Sequence, residues 1–208
     1  MYSDMYANKS KIIFLGDSNV GKTSIIHTYL KKNGNVTSTI GTEFFKKYMP
    51  KYNRSLQVWD CAGQECYRAI CKLYYRGSDA CILVFDLSEP TSLESIKNYW
   101  ISIYMENCSK PYRFILVGNK SDKSINIDYN IIWNLCKSYN MRYVETSVIT
   151  QTNIDIIFNL TCELLNDSNT LNNNTLNNNT LNNNTDLNNN TSLVINTDYR
   201  YNYFSNYC

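Results

Sequence analysis

The stretch Gly16-Asp17-Ser18-Asn19-Val20-Gly21-Lys22-Thr23 leaves this chain few folds to choose from. It matches G-x-x-x-x-G-K-[ST] and lies between an apolar run, residues 11–15, and an amphipathic one, residues 22–30. The spacing predicts a strand that turns through a glycine loop into a helix. Glycines at both ends let the backbone fold closely around a phosphate, so that its N–H groups donate to the oxygens. Lys22 puts a cation where β- and γ-phosphates would lie, and the Thr23 hydroxyl can ligate Mg²⁺. The helix N-terminus adds partial positive charge. A glycine turn with no ligand is the alternative reading of this motif taken alone.

Around the loop, short apolar runs alternate with longer amphipathic segments, the pattern of βαβ units. Residues 80–86 and 112–118 are expected as buried strands. Residues 44–49 and 55–59 are expected as a hairpin at the sheet edge, joined by the polar turn 51–54. Helices are expected over 22–30, 91–104, 129–139 and 153–165. In the last, Ile154, Ile157, Phe158 and Leu165 fall at helical spacing behind Asn153 as N-cap. The fold class is therefore α/β.

The chain divides into three regions: a polar leader at 1–10, a folded domain at 11–165 and a tail at 166–208. In the tail Leu-Asn-Asn-Asn-Thr recurs at 171–175, 176–180, 181–185 and 187–191. Such repeats bury too little apolar surface to offset their ordering entropy, so the tail is expected as a disordered tether of roughly 35–40 Å. Net charge is +2, too small to argue for nucleic acid. Eight cysteines lie scattered through apolar runs without a signal peptide, which favours reduced thiols in the cytosol over a disulfide framework. The Asn-x-Thr sequons at Asn173 and Asn178 are then accidents of the repeat. No apolar stretch approaches the roughly 18 residues of a membrane helix, and Tyr2 excludes N-myristoylation.

Asn119-Lys120-Ser121-Asp122 ends the run 112–118. A carboxylate at Asp122 can accept both N1–H and the exocyclic amine of guanine. Adenine presents an acceptor at N1 and no N2 amine, so both bonds would be lost. Buried polar groups left unpaired are how such sites discriminate strongly.

The order of the phosphate loop, Thr39-Ile40-Gly41, Trp59-Asp60-Cys61-Ala62-Gly63-Gln64-Glu65, Asn119-Lys120-Ser121-Asp122 and Glu145-Thr146-Ser147 resembles that of the Ras superfamily over residues 11–165. Thr39-Ile40-Gly41-Thr42-Glu43-Phe44 and Tyr67-Arg68-Ala69-Ile70, followed by Tyr74-Tyr75-Arg76-Gly77, are similar to the Rab switch segments. The resemblance implies a P-loop fold with a six-stranded, mostly parallel sheet flanked by about five helices. It also implies a GTP/GDP switch in vesicle traffic that hydrolyses GTP slowly. Guanine nucleotide would contact Gly16, Asp17, Ser18, Asn19, Val20, Gly21, Lys22, Thr23, Ser24, Asp60, Gly63, Asn119, Lys120, Asp122, Ser147 and Val148. Mg²⁺ would be held at Thr23, Thr39 and Asp60. Catalysis would fall to Gln64, orienting water, with Lys22 and Thr39. No arginine stands where the family pattern would place one in cis, so a GTPase-activating protein is implied. An exchange factor, a dissociation inhibitor or prenylation escort and effectors complete the partners, with Phe44, Trp59 and Tyr74 as the patch effectors read.

Three departures from the pattern stand out. The Glu145-Thr146-Ser147 loop continues Val148-Ile149 rather than Ala and Lys. No aromatic lies between Tyr29 and Thr39 to pack on the guanine ring; the matching positions are Lys32 or Gly34. The chain ends in Tyr207-Cys208 without a second cysteine, and the tail carries no basic cluster. A prenyl group on Cys208 would still tether the protein reversibly to the cytosolic face of a membrane, with Val194-Ile195 for the escort. Two other readings stay open: a nucleotide-locked scaffold with negligible hydrolysis, and a P-loop kinase or ATPase, which Asp122 disfavours.

Overall fold

Apolar runs in which every residue is buried need a sheet covered on both faces, and this chain forms one. The computed structural model describes residues 7–31, 39–64, 68–109 and 111–177. Along the chain lie β1 (Asn8–Leu15), α1 (Lys22–Leu30), β2 (Thr42–Met49), β3 (Arg54–Cys61), α2 (Arg68–Tyr75) and β4 (Ala80–Asp86). Then come α3 (Pro90–Ser95), α4 (Ile101–Asn107), β5 (Phe114–Asn119), α5 (Tyr129–Tyr139), β6 (Arg142–Glu145) and α6 (Ile154–Asn177). A π-helical turn, Ile96–Trp100, joins α3 to α4, so residues 90–107 form one rod. The strand order is β2-β3-β1-β4-β5-β6, with only β2 and β3 antiparallel. Six strands and five helical rods match the expected architecture.

Alternation along the central strands divides the core into two layers. Cys81, Leu83 and Phe85 of β4 face one cluster, together with Ile13, Leu15, Phe114 and Leu116. Ala80, Ile82 and Val84 face the other, with Ile12, Phe14, Ile115 and Val117. The first layer is closed by Tyr75, Leu93, Trp100, Ile103 and Leu135, and the second by Ile25, Ile26, Ile157 and Phe158. Burying the leucine, isoleucine, valine and phenylalanine side chains among these contributes roughly 1.5–3 kcal/mol each where burial is complete.

Boundaries differ from the sequence reading where pairing, rather than apolar character, sets them. β1 opens at Asn8, inside the expected leader, because Asn8, Lys9 and Ser10 pair with Arg54, Ser55 and Leu56. The hairpin turns through a short 3₁₀ segment, Pro50–Tyr52, with Asn53 left-handed at φ 43°. Asn153 also has positive φ, and its amide donates to the Glu145 carbonyl at 2.9 Å. α6 continues past Leu165, beyond which the tail is expected, through the first Asn-rich repeat and into the second. Residues up to Asn172 form one compact unit; of the second, 173–208, only the backbone of 173–177 is described, as the end of α6. The expectations for Cys208 and Val194-Ile195 lie outside the described residues, as do those for Lys32 and Gly34.

From β1 the chain passes through α1 to β2 and β3 on one side, and from β3 it crosses over to β4 on the other side of β1, so the winding reverses between β1 and β3. In open α/β sheets ligands bind at such a reversal, beyond the carboxyl ends of the strands. Leu15, Asp60, Asp86, Asn119 and Glu145 all stand at or next to those ends. One edge of the sheet thus collects the phosphate loop, Asp60, Asn119 and Glu145.

Candidate functional site

The phosphate loop owes its shape to two glycines with no room for a side chain. Gly16 has φ +143°, and a Cβ there would drive into the Val84 carbonyl. Gly21, at φ +100°, abuts the Asn119 amide and precedes α1 without a side-chain cap. The first N–H groups of α1 therefore have no partner within the helix or from a capping side chain. Lys22 is almost wholly buried and donates to the carbonyls of Gly16 at 2.8 Å and Asp17 at 2.7 Å. Burial pushes its pKa down to about 8, against the pull of nearby Asp60.

Thr23, Thr39 and Asp60 converge from α1, from the segment before β2 and from β3. The Thr23 hydroxyl donates to Asp60 Oδ2 at 2.5 Å and lies 2.7 Å from the Thr39 hydroxyl. Thr39 reaches the same carboxylate oxygen at 3.3 Å. Asp60 is fully buried; burial raises its pKa, while bonds from Thr23 and Thr39 and the charge of Lys22 oppose the rise. Its Oδ1 is buried and makes no hydrogen bond. Hard hydroxyl and carboxylate oxygens, one of them unpartnered, fit a hard divalent cation. Gly63 follows on the same strand end and packs against the backbone of Asp17 and Ser18, where a Cβ would collide. Gln64, the next residue, is half-buried.

The other half of the site is built from β5 and β6. Asn119 is buried; its amide donates to the Val20 carbonyl at 2.8 Å and accepts from Thr146 Oγ1 at 3.1 Å. Ser147 Oγ donates to Asp122 Oδ1 at 2.5 Å, which aims the carboxylate. Lys120, left-handed at φ 64°, pairs with Asp86 at 2.7 Å. Burial would raise the pKa of Asp86, but Lys120 and Ser88 outweigh it and hold the carboxyl low. Val148 is half-buried against the core, and Ile149 is 80 % exposed. Sequence reasoning gives no role to Thr146 or Asp86; a carboxylate closing an otherwise apolar strand is the available signal for Asp86.

Two aromatic expectations resolve differently. Tyr29, the aromatic nearest to residues 32–38, stacks on Phe158 at 3.7 Å and turns its hydroxyl to Met49, so it faces α6. Phe44, Trp59 and Tyr74 form a continuous run of rings, 4.9 Å and 5.1 Å between centroids. Phe44 is 47 % exposed, and Leu73 beside Tyr74 is 78 % exposed. Among the described residues all six cysteines are free, and no helix is long and apolar enough to cross a membrane.

The profile of the Ras family matches residues 11–167. The chain is 36 % identical to the "Probable Rab-related GTPase" of Acanthamoeba polyphaga mimivirus, over 74 % of its own length and 75 % of the relative's. It is 34 % identical to the Ras-related protein Rab-11B of Dictyostelium discoideum, covering 72 % and 70 %. With the Ras-related protein Rab-13 of Canis lupus familiaris it shares 36 % identity over 74 % and 78 %.

Proposed function

The chain belongs to the Ras family of small GTPases and to its Rab branch, and from that premise we propose which of its residues bind, switch and hydrolyse. It is a GTPase and a guanine-nucleotide switch of vesicle traffic. The observation that carries the residue-level reading is the meeting of the phosphate loop and the Asp122 pocket through Asn119, whose amide holds the Val20 carbonyl.

In this reading the loop N–H groups and Lys22 hold the β- and γ-phosphates, and the base is selected at Asp122. Ser147 fixes the carboxylate so that it meets two guanine donors without reorganising. Thr23, Thr39 and Asp60 would hold Mg²⁺, which supplies charge neutralisation at the phosphates. Gln64 orients the attacking water: its amide oxygen accepts from the water while its N–H₂ donates toward the transferring group. Thr39 and Gly63 each stand between a loop and the phosphate site, so loss of the γ-phosphate frees both loops together. With no arginine supplied in cis, a GTPase-activating protein brings the remaining charge. The Phe44, Trp59 and Tyr74 rings form the surface that effectors and regulators read, and a prenyl group at Cys208 tethers the protein to its membrane.

The experiment is a nucleotide competition followed by single-turnover hydrolysis. GTP and GDP should displace a fluorescent GDP at least a hundredfold better than ATP, and bound GTP should decay slowly to GDP. Equal competition by ATP would remove Asp122 from the base pocket.

A further inference from the structure

Trp100 lies at the end of the π-helical turn Ile96–Trp100, where the Ile101 N–H reaches back to the Ile96 carbonyl. A π turn takes in one residue more than an α turn, which rotates the next stretch of helix by about 100°. The indole is completely buried, and Tyr99 packs edge-on against it at 5.0 Å and 82°. A buried indole N–H needs an acceptor. Here Trp100 Nε1 donates to Asp17 Oδ1 at 2.8 Å.

Asp17 is the second residue of the phosphate loop, and it is fastened on three sides. Its carboxylate takes the indole, its carbonyl takes the Lys22 ammonium at 2.7 Å, and its backbone abuts Gly63. The rod 90–107 therefore touches the loop through a charge-assisted hydrogen bond, roughly twice as strong as a neutral one. Displacing Asp17 would move the carbonyl that aims Lys22 and the surface on which Gly63 rests.

We propose that Trp100 is a positioning residue: through Asp17 it holds the phosphate loop in its binding shape and so sets how slowly nucleotide leaves. The inference rests on the reading of residues 16–24 as the nucleotide site. Losing the bond should cost what one charge-assisted hydrogen bond contributes, hence a roughly ten- to hundredfold faster release.

The test is a double-mutant cycle on the release rate of a fluorescent GDP, with Mg²⁺ present and the full chain. Trp100→Phe removes the donor and keeps most of the volume, and Asp17→Ala removes the acceptor. Each should speed release roughly ten- to hundredfold, and the double variant should be no faster than the faster single one. Asp17→Asn keeps an oxygen acceptor and should recover most of the loss seen with Ala. Should Trp100→Phe fail to fold, the Ala-to-Asn comparison at Asp17 still decides. Additive effects in the cycle, or equal release from Asp17→Ala and Asp17→Asn, would overturn the role of Trp100 while leaving the nucleotide site standing. A parent protein that takes up no GDP would overturn both.

Discussion

The two halves of the site are held by different means. At the phosphate end, shape comes from backbone: Gly16 lies against the Val84 carbonyl, Gly63 against Asp17 and Ser18, and Lys22 is tied to two carbonyls. At the base end, shape comes from side chains bonding side chains, Ser147 to Asp122, Thr146 to Asn119 and Lys120 to Asp86. Backbone close-packing tolerates no added atom, whereas side-chain pairs can be exchanged for others. The phosphate end should therefore break when altered, and the base end should change its preference.

The largest effect is expected at Gly16. A Cβ there meets the Val84 carbonyl in the middle of the sheet, and φ of +143° suits no side chain. Gly16→Ala should destabilise the domain by about 3 kcal/mol and abolish nucleotide retention through purification. Urea unfolding and the absorbance of extracted nucleotide measure both. A stable, nucleotide-loaded Gly16→Ala protein would erase the contrast between the halves.

Asp122→Asn comes next and should redirect binding rather than abolish it. The amide donates where the carboxylate accepted, so GTP affinity should fall about a hundredfold while xanthosine triphosphate gains. Competition against a fluorescent xanthosine nucleotide reads the exchange, and parallel loss of both nucleotides would mean that the base end also fails by collapse.

Gln64 belongs to neither half. It follows Gly63 on the strand end that presses on the loop, and it is half-buried. If it orients water and does not hold the ground state, as proposed, Gln64→Leu should slow single-turnover hydrolysis at least tenfold with GTP affinity nearly unchanged. A rate equal to the parent's would remove it from the chemistry.

The two halves were also unequally legible in the sequence. The phosphate loop and Asn119-Lys120-Ser121-Asp122 could be read because their chemistry depends on residue type at fixed spacing. The strand ends could be read because the run 80–86 and the part of 112–118 from Phe114 on bury both faces, although β5 opens two residues later than expected. Where tertiary partners decide, the sequence was silent. Nothing local marks the turn Ile96–Trp100 as π-helical, nor Asp17 as the acceptor of its indole. β6, with only Val144 and Glu145 buried, is too short to show alternation. The extra length of β1 at Asn8 comes from its β3 partner. Lys120 carries a guanine-site motif in sequence, yet its ion pair with Asp86 depends on β4 and β5 being neighbours.

The smallest effect is expected at Val148, and it tests how little the base end depends on bulk. Val148 departs from the alanine usual at this place, and a branched side chain beside a base would ordinarily be expected to crowd it. In the fold it is half-buried against the cluster that Ile26, Ile154 and Phe158 form, so its methyls serve the core. In the proposed site, what the loop would offer a base is the backbone N–H of residue 148, carried on the frame that Ser147 fixes by bonding Asp122 and accepting from the Thr150 N–H at 3.1 Å. Val148→Ala keeps that N–H and removes two partly buried methyls, each worth under about 0.8 kcal/mol. Thermal unfolding should register a loss of about 1 kcal/mol, while GDP release should change less than threefold. A release rate altered tenfold or more with stability intact would place the Val148 side chain against the base and make bulk, rather than polarity, a determinant of that half.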